Sequence, residues 1–265
     1  MVVDAALCAA FALTSIVGPQ PPALAPMARS VEEFQRRLDI DKALKMYWSG
    51  LSGFSSTDDE DPQVARASGK FGATYGECTT EGARAIFDVL GLLRASDDDQ
   101  PTDVYFADLG SGVGKLAAQA YVELCIDGVL AVELGERRHE RAKEGWKRFV
   151  LSDDARRLKK GTFDENELTF LRADATAVDL TGVTHCFVAN LCFDDEANAR
   201  LSDHLARAPA LRKVAVLREL THADFSLTRR SRAQMSWNPI GQASDLILYE
   251  KKGEKTHNTM GHQSS

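Results

Sequence analysis

The stretch VYFADLGSGVGKLAAQAYVEL, from Val104 to Leu124, decides the fold. Its apolar opening predicts a short buried strand over residues 104–109. Three glycines follow at positions 110, 112 and 114, and the apolar spacing after them predicts a helix over residues 113–125. A strand, a glycine-rich turn and a helix in this order are typical of the first unit of a doubly wound α/β sheet.

Strand-like and helix-like segments alternate along the rest of the chain. Further strands are predicted over residues 129–134, 168–171, 186–189 and 213–217, and helices over residues 135–160 and 195–207. The last two strand candidates, AQMSW (233–237) and SDLILYEK (244–251), have no helix between them and predict an antiparallel hairpin. We therefore predict an α/β fold with a seven-stranded, Rossmann-like sheet that ends in an antiparallel hairpin.

A small helical segment is predicted ahead of this sheet. Ser30 and Glu33 form a capping-box pattern, so a helix begins there and runs towards Trp48. One-sided apolar spacing predicts another helix from Thr80. These elements divide the chain into four parts. They are a disordered or targeting segment (1–29), a helical region (30–100), the sheet-bearing core (101–252) and a disordered tail (253–265).

The composition excludes several classes of protein. Of the 265 residues, 44% are hydrophobic and 27% are charged, which is typical of soluble globular proteins. The net charge of -7 argues against wholesale coating of nucleic acid. The five cysteines include no CxxC pair, so we expect neither a disulfide framework nor a metal site.

The run AALCAAFALTSIVG (5–18) is the most apolar part of the chain. It is shorter than the roughly 20 residues that a membrane-spanning helix needs, and no membrane association is predicted. Asp4 stands in front of it, where a signal peptide carries basic residues. A disordered N-terminus is the default interpretation. A targeting peptide within residues 1–28, leading to an organelle or the secretory route, stays open.

The glycine loop poses a choice between a phosphate and a cationic ligand. A dinucleotide fingerprint reads G-x-G-x-x-G and receives a pyrophosphate at the helix N-terminus. Here the last spacing is one residue shorter, and Asp108 stands directly before the loop. A carboxylate beside a phosphate is repulsive, whereas a ligand with a cationic end is favoured. S-adenosyl-L-methionine has an ammonium and a sulfonium and no phosphate, so the pattern favours this cofactor.

Two more acidic residues support an adenosyl ligand. Glu133 ends the second predicted strand, where its carboxylate can accept both hydroxyls of a ribose. Asp174 ends the third strand, within reach of an adenine amino group. Open α/β sheets bind their ligands at the carboxyl ends of the strands, so these acids and the glycine loop predict one site.

The fourth strand supplies candidates for the reacting centre. Asn190 ends it, and its amide oxygen can accept a hydrogen bond from a substrate amine and orient it. The alternative for Asn190 is a cap on the following helix. Phe193 can pack against the amine-bearing group, and Tyr75 and Trp237 are further aromatic candidates for an apolar channel. Plain core packing is the alternative for Trp237.

Six motifs in order resemble the disruptor-of-telomeric-silencing family of histone-lysine methyltransferases, which have no SET domain. They are YGECTT (75–80), VYFADLGSGVGKL (104–116), AVEL (131–134), RAD (172–174), FVANLCF (187–193) and MSW (235–237). The resemblance extends from Phe71 to about Glu250. It implies a class I methyltransferase fold, S-adenosyl-L-methionine as cofactor and a lysine of a core histone in the nucleosome as substrate. A nuclear location follows from the same resemblance.

The resemblance also implies roles for individual residues. A loop in the 30–100 region covers the methionine end of the cofactor, and Asn190 lies at the methyl-transfer position. Phe193 and Trp237 line the lysine channel. The implied cofactor-binding residues are Tyr75, Gly76, Glu77, Asp108, Leu109, Gly110, Ser111, Gly112, Val113, Gly114, Lys115, Glu133, Asp174, Ala175 and Asn190.

The chain departs from the family pattern at three places. Ala189 precedes Asn190 where the family often has two asparagines. Lys115 follows the glycine loop where a glutamine or asparagine is common. Ser244 or Asp245 stands near the place of a channel tyrosine, and an acid there can instead hold an ammonium.

Partners and competing functions complete the sequence-based expectations. Basic residues within 137–160 can contact DNA phosphates, although a solvated face with Glu–Lys pairs at helical spacing is the simpler interpretation. A second function is an amine methyltransferase with another protein, a nucleic acid or a small molecule as acceptor. A third is a cofactor-binding domain that serves only for interaction. The oligomeric state is not indicated by the sequence.

Overall fold

A computed structural model describes residues 26–53, 64, 67, 76–93, 103–239 and 241–252. Within these ranges it contains six α-helices and seven β-strands. The helices are α1 (Val31–Tyr47), α2 (Thr80–Leu90), α3 (Lys115–Glu123), α4 (Glu136–Val150), α5 (Asp153–Leu158) and α6 (Asp195–Arg207). The strands are β1 (Tyr105–Leu109), β2 (Gly128–Val132), β3 (Leu168–Leu171), β4 (His185–Val188), β5 (Lys213–Val216), β6 (Phe225–Ala233) and β7 (Ser244–Lys251).

The seven strands form one mixed sheet in the order β3-β2-β1-β4-β5-β7-β6. The first five pair in parallel, and β7 pairs antiparallel with both β5 and β6. The predicted α/β fold with a C-terminal antiparallel hairpin is therefore confirmed. The chain proceeds outward from β1 to β3 and then returns to β4 on the other side of β1. This reversal creates the switch point at which such sheets bind ligands.

Side chains of β1 alternate between the two faces of the sheet, as the strand period requires. Phe106 packs in the cluster formed with helices α1 to α4, whereas Ala107 and Leu109 pack in the cluster beneath α6. All three are buried. The strand is thus covered on both faces, which explains its continuous apolar sequence.

The N-terminal helices share the main core with the sheet. Ile40 of α1 and Ile86 of α2 belong to the same buried cluster as Phe106. A buried ionic network strengthens this contact, since Arg84 Nε donates to Glu123 Oε1 at 2.8 Å and Arg84 Nη2 to Asp41 Oδ1 at 2.7 Å. Helices α1, α2 and α3 are therefore joined into one layer, with no separate core for the 30–100 region among its described residues.

Two predicted elements differ from the structure. The helix expected over residues 135–160 is two helices, because the chain leaves helical geometry at Leu151 and Ser152. The strand expected over residues 233–237 is wrong. β6 lies earlier, and Met235 forms only an isolated bridge with Cys78. The polar run TRRSR lies on the outermost strand, where four successive residues are exposed, and this concealed the strand pattern.

Several expectations concern residues outside the described ranges, including Tyr75, the apolar run 5–18 and the tail 253–265. Among the residues that the structure does describe, no helix is long and apolar enough to cross a bilayer. In the same residues no group of three or more His, Cys, Asp or Glu side chains is arranged to hold a metal ion.

Candidate active site

The glycine loop after β1 turns through left-handed backbone conformations that favour glycine. The φ angles are +86° at Gly110, +57° at Gly112 and +77° at Gly114. The loop N–H groups bond within the protein. Those of Gly110 and Ser111 donate to Val132 O at 2.8 and 2.9 Å, and that of Gly112 donates to Glu133 Oε2 at 3.0 Å. These three donors are already occupied and are therefore not available to a phosphate.

Asp108 carries a buried carboxyl group at the carboxyl end of β1. Its side chain is only 3% exposed, and among the described residues nothing donates a hydrogen bond to Oδ2. The Ser111 hydroxyl of the glycine loop is also buried and has no hydrogen-bond partner among the described residues. Burial and the negative charge of Glu133 raise the pKa of Asp108 to about 8. Such an unsatisfied acid favours a ligand that brings a cation and hydrogen-bond donors.

Glu133 connects the end of β2 to the glycine loop and to α4. Its Oε1 accepts from Gly135 N at 2.7 Å and from Arg138 Nε and Nη2 at 3.1 and 3.0 Å. Arg138 is itself buried. Its role was missed from the sequence because it stands in a run of charged residues that indicated a solvated face. One of the basic residues expected to contact DNA is thus committed to the site.

Two adjoining cavities open at the switch point. The larger has a volume of about 160 Å³ and the smaller about 40 Å³. Gly76, Gly110, Ala189 and Trp237 line both. The predicted residues around the larger cavity also include Glu133, Asp174, Ala175 and Phe193. Those around the smaller also include Glu77, Asp108, Ser111, Gly112, Val113 and Lys115.

The 76–79 segment is attached to the stretch that follows β6. Glu77 N donates to Ser236 Oγ at 2.9 Å, and Ser236 N donates back to Glu77 O at 2.8 Å. On its other side, Glu77 forms an ion pair with Lys115, with 2.5 Å between Oε2 and Nζ. Lys115 therefore forms an ion pair that a neutral glutamine or asparagine at this position could not form. The 76–79 segment thus contacts the first residue of α3, Lys115, on one side and the residue before Trp237 on the other.

The structure corrects the role predicted for Asn190. Its carboxamide is completely buried and does not line either cavity. Oδ1 accepts from Leu217 N and Arg218 N at 3.1 and 2.9 Å, while Nδ2 donates to Asn198 Oδ1 at 2.7 Å and to Arg218 O at 2.9 Å. These four bonds use the full capacity of a carboxamide. Asn190 ties β4 to β5 and α6, and the exposed neighbour Ala189 faces the cavities instead.

The remaining predicted residues are placed as follows. Asp174 Oδ1 accepts from Thr176 N and Oγ1, both at 2.8 Å, and this turn holds it at the larger cavity. Leu109 is buried beneath the sheet and lines neither cavity. The hydroxyl of Ser244 contacts Trp237, and Asp245 lies 3.9 Å from Arg232. Lining residues that the sequence did not single out include Leu191, Cys192 and Leu217, and Ala189 was noted only as a departure from the family pattern.

Comparison with protein families then identifies the chain. The family described as Histone methylation protein DOT1 matches residues 68–254, which is more than half of the chain. The chain belongs to the DOT1 family. The resemblance inferred from the six motifs is confirmed, and the matched range includes every strand and the glycine loop. Compared by sequence with curated proteins, the chain has no significant match.

One solved structure confirms the class I methyltransferase fold of this DOT1-family chain. A candidate RNA methyltransferase from Pyrococcus horikoshii superposes with a TM-score of 0.51 at 14% identity, over 83% of this chain and 100% of its own. Magnesium protoporphyrin IX methyltransferase from Synechocystis PCC 6803, solved with its cofactor bound, is also similar. It gives a TM-score of 0.45 at 14% identity, over 85% of this chain and 100% of its own. The chain is an S-adenosyl-L-methionine-dependent methyltransferase.

Gly76→Ala is expected to weaken cofactor binding about 5- to 150-fold, which corresponds to the roughly 1–3 kcal/mol that overpacking costs. A β-carbon at Gly76 would lie 2.1 Å from Trp237 Cε3, and the indole is hydrogen-bonded to Ser244, so the 76–79 segment at the smaller cavity must move. Titration calorimetry with S-adenosyl-L-methionine measures the effect. Gly145→Ala is the matched control, because its β-carbon would lie 2.4 Å from Trp48 Cε2, a comparable clash between residues that line neither cavity. An unchanged dissociation constant in a folded Gly76→Ala protein would contradict the prediction.

Proposed function

We propose that this chain is a protein-lysine N-methyltransferase that acts on a core histone within the nucleosome. The observation that carries the proposal is the apolar wall of the larger cavity, made by residues that follow β4 and β5 and by Trp237. The family description, Histone methylation protein, supports the acceptor class. A nucleosomal acceptor requires access to the nucleus, and this location belongs to the proposal.

Each of the acidic residues is assigned a different part of the cofactor. Asp108 would hold the ammonium group, since its Oδ2 has no donor among the described residues and its surroundings exclude water. Glu133 Oε2 accepts a single described bond, from Gly112, and would accept a ribose hydroxyl as well. Asp174 and Ala175 lie along the larger cavity, where the adenine would bind. When bound, S-adenosyl-L-methionine supplies an electrophilic methyl group on a sulfonium.

The acceptor end of the larger cavity favours a neutral amine. We assign the acceptor to the side formed by Ala189, Leu191, Phe193, Leu217 and Trp237, none of which is ionisable. The carboxylates of the same cavity, Glu133 and Asp174, are assigned to the cofactor. A lysine amine has an ordinary pKa of about 10.4, and desolvation against such a wall lowers it. The chain therefore promotes loss of the proton by burial and then aligns the nitrogen lone pair. No general base from the protein is required.

The same wall disfavours a nucleobase as acceptor. An enzyme that recognises a nucleobase needs hydrogen-bonding groups in its pocket that contact the edge of the base. The carboxamide of Asn190 is sequestered by its four internal bonds, and Ala189 offers only a methyl group in its place.

The proposed nucleosome contact gains limited support from the basic residues of α4 and α5. Arg148 pairs with Glu144 at 2.9 Å, and Arg157 pairs with Asp154 at 2.6 Å. Arg138 is buried against Glu133. The contact is proposed for Arg137, Lys143 and Lys147 because all three are exposed on α4, and Lys143 lies 3.3 Å from Glu140.

A parallel labelling experiment tests the proposal. The protein is incubated with methyl-labelled S-adenosyl-L-methionine and, in separate reactions, nucleosomes, free histones, DNA and RNA. We expect label on nucleosomal histone, recovered as methyl-lysine after hydrolysis. Asp108→Asn is the cofactor-site control and should lower the label on the same acceptor.

Each other outcome contradicts the proposal in its own way. Label on nucleic acid alone would indicate an amine methyltransferase with a different acceptor. Label on free histones but not on nucleosomes would retain lysine chemistry and remove the nucleosome as substrate. Absence of label in a protein that binds the cofactor would indicate an interaction domain.

A further inference from the structure

The indole of Trp237 is held by a hydrogen bond from outside the hydrophobic core. Trp237 is only partly buried, and its Nε1 donates to Ser244 Oγ at 3.2 Å. Ser244 is the first residue of β7, so the rest of the sheet anchors its backbone. Since packing alone does not enclose the ring, this polar contact restricts its rotation.

Asn238 completes the support beneath the indole. Its Oδ1 accepts from Met235 N at 2.9 Å and from Ser244 N at 3.2 Å, which closes the connection between β6 and β7. Its Nδ2 lies 3.2 Å from Ser244 Oγ. The hydroxyl that receives the indole N–H is thus itself fixed by the carboxamide of Asn238.

Trp237 forms a wall common to the two cavities. It lines the smaller cavity beside Asp108 and the larger one beside Ala189. Its ring lies against Gly76, which also lines both. A change in the tilt of this ring changes the shape of the acceptor end without altering any of the three cofactor acids.

We propose that Ser244 and Asn238 are positioning residues that hold the Trp237 indole at the angle at which the acceptor amine is aligned for methyl transfer. The proposal rests on the assignment of the larger cavity's apolar end to the acceptor. Ser244 acts through Trp237, so the acceptor is sensitive to its hydroxyl group and the cofactor is not. Sequence resemblance places a channel residue near position 244, and the structure instead gives the serine this supporting role.

Ser244→Ala tests the inference by two readouts. The first is the Trp237 contribution to fluorescence, obtained by subtracting the emission of Trp237→Phe variants from that of their parents. We expect lower anisotropy and a shifted maximum for Trp237 in Ser244→Ala. The second is steady-state kinetics with the acceptor that takes label. We expect kcat/KM for the acceptor to fall about fivefold, the ratio that corresponds to one net hydrogen bond of about 1 kcal/mol, while cofactor affinity changes less than twofold.

Three further variants distinguish positioning from a general structural effect. Ser244→Thr keeps a hydroxyl and should restore both readouts, and Asn238→Ala should reproduce Ser244→Ala. Ser231→Ala, a hydroxyl deletion on the neighbouring strand β6, should change neither.

The two readouts separate failure of this inference from failure of the proposed function. Unchanged Trp237 emission in Ser244→Ala overturns the inference whatever the acceptor is, and so does altered emission with unchanged acceptor kinetics. If histones take no label but Ser244→Ala still changes the Trp237 emission, only the histone assignment is overturned. The kinetic measurement then uses whichever acceptor does take label.

Discussion

Replacement of Asp108 by asparagine is expected to weaken S-adenosyl-L-methionine binding about 10- to 100-fold, because a hydrogen bond to a charged group contributes about 1.5–3 kcal/mol. The variant keeps the size of the side chain and removes the charge that would face the cofactor ammonium. Titration calorimetry at pH 8 measures the change, and at this pH a large part of the wild-type carboxyl is ionised.

The affinity of the wild-type protein should also depend on pH. The pKa of Asp108 is raised to about 8, so the carboxyl is mostly protonated at pH 6 without the cofactor. Binding of a cation favours ionisation, and each proton released makes affinity rise by up to about tenfold per pH unit below that pKa. The profile should level off near pH 8. Asp108→Asn should lose this rise and retain only the titration of the cofactor amine.

The stability of the cofactor-free protein should respond in the opposite direction. A carboxyl whose pKa in the folded state is above its ordinary value of 3.8 destabilises the fold as pH rises from about 4 to 8. Asp108→Asn should therefore melt at a higher temperature than the wild type at pH 8 while it binds the cofactor more weakly. Weaker binding together with a lower melting temperature would contradict the assignment, because it would indicate a damaged fold.

Glu123→Ala is expected to lower the free energy of unfolding by about 3–5 kcal/mol, the loss that follows when one partner of a buried ion pair is removed. Glu123 and Arg84 are 5% and 4% exposed, and Glu123 Oε2 also accepts from Gln119 Nε2 at 2.9 Å. Arg84 would keep Asp41 but lose its most buried partner. Urea unfolding followed by circular dichroism measures the change.

Glu140→Ala is the matched control, since its pair with Lys143 is largely exposed and should contribute less than about 1 kcal/mol. A second variant, Arg84→Met with Glu123→Leu, removes both charges and should recover much of the lost stability. A Glu123→Ala protein that unfolds within 1 kcal/mol of the wild type, or a double variant no better than the single one, would show that this pair does not hold the helices together.

The fold and the cofactor end of the site were predictable because their signals are local. The three glycines are separated by one residue each, and their left-handed angles demand that residue type. Asp108 and Glu133 stand at strand ends that the apolar patterns locate, and the topology of a doubly wound sheet brings those ends together.

The acceptor end was less predictable because it depends on the direction of single side chains. Ala189 and Asn190 are adjacent in sequence, and contacts with Leu217 and Arg218 decide which of them faces the cavities. The burial of Arg138 depends likewise on a partner five residues away that the charge pattern does not reveal. The position of β6 was missed for a similar reason. Pairing with β7 places this strand over Phe225–Ala233, which contains the polar run TRRSR, and not over the more apolar run AQMSW.

The wall shared by the two cavities has a consequence for inhibitor design. Four residues, Gly76, Gly110, Ala189 and Trp237, line both spaces, so the two cavities are neighbours across this wall. An adenosine analogue joined by a short tether to an alkylammonium group would place its adenine beside Asp174 in the larger cavity and its ammonium beside Asp108 in the smaller one, as one compound. Such a tether supplies an effective concentration on the order of millimolar for the second group. Gly76 and Ala189, the small residues of the shared wall, would set the thickness of linker that fits beside Trp237.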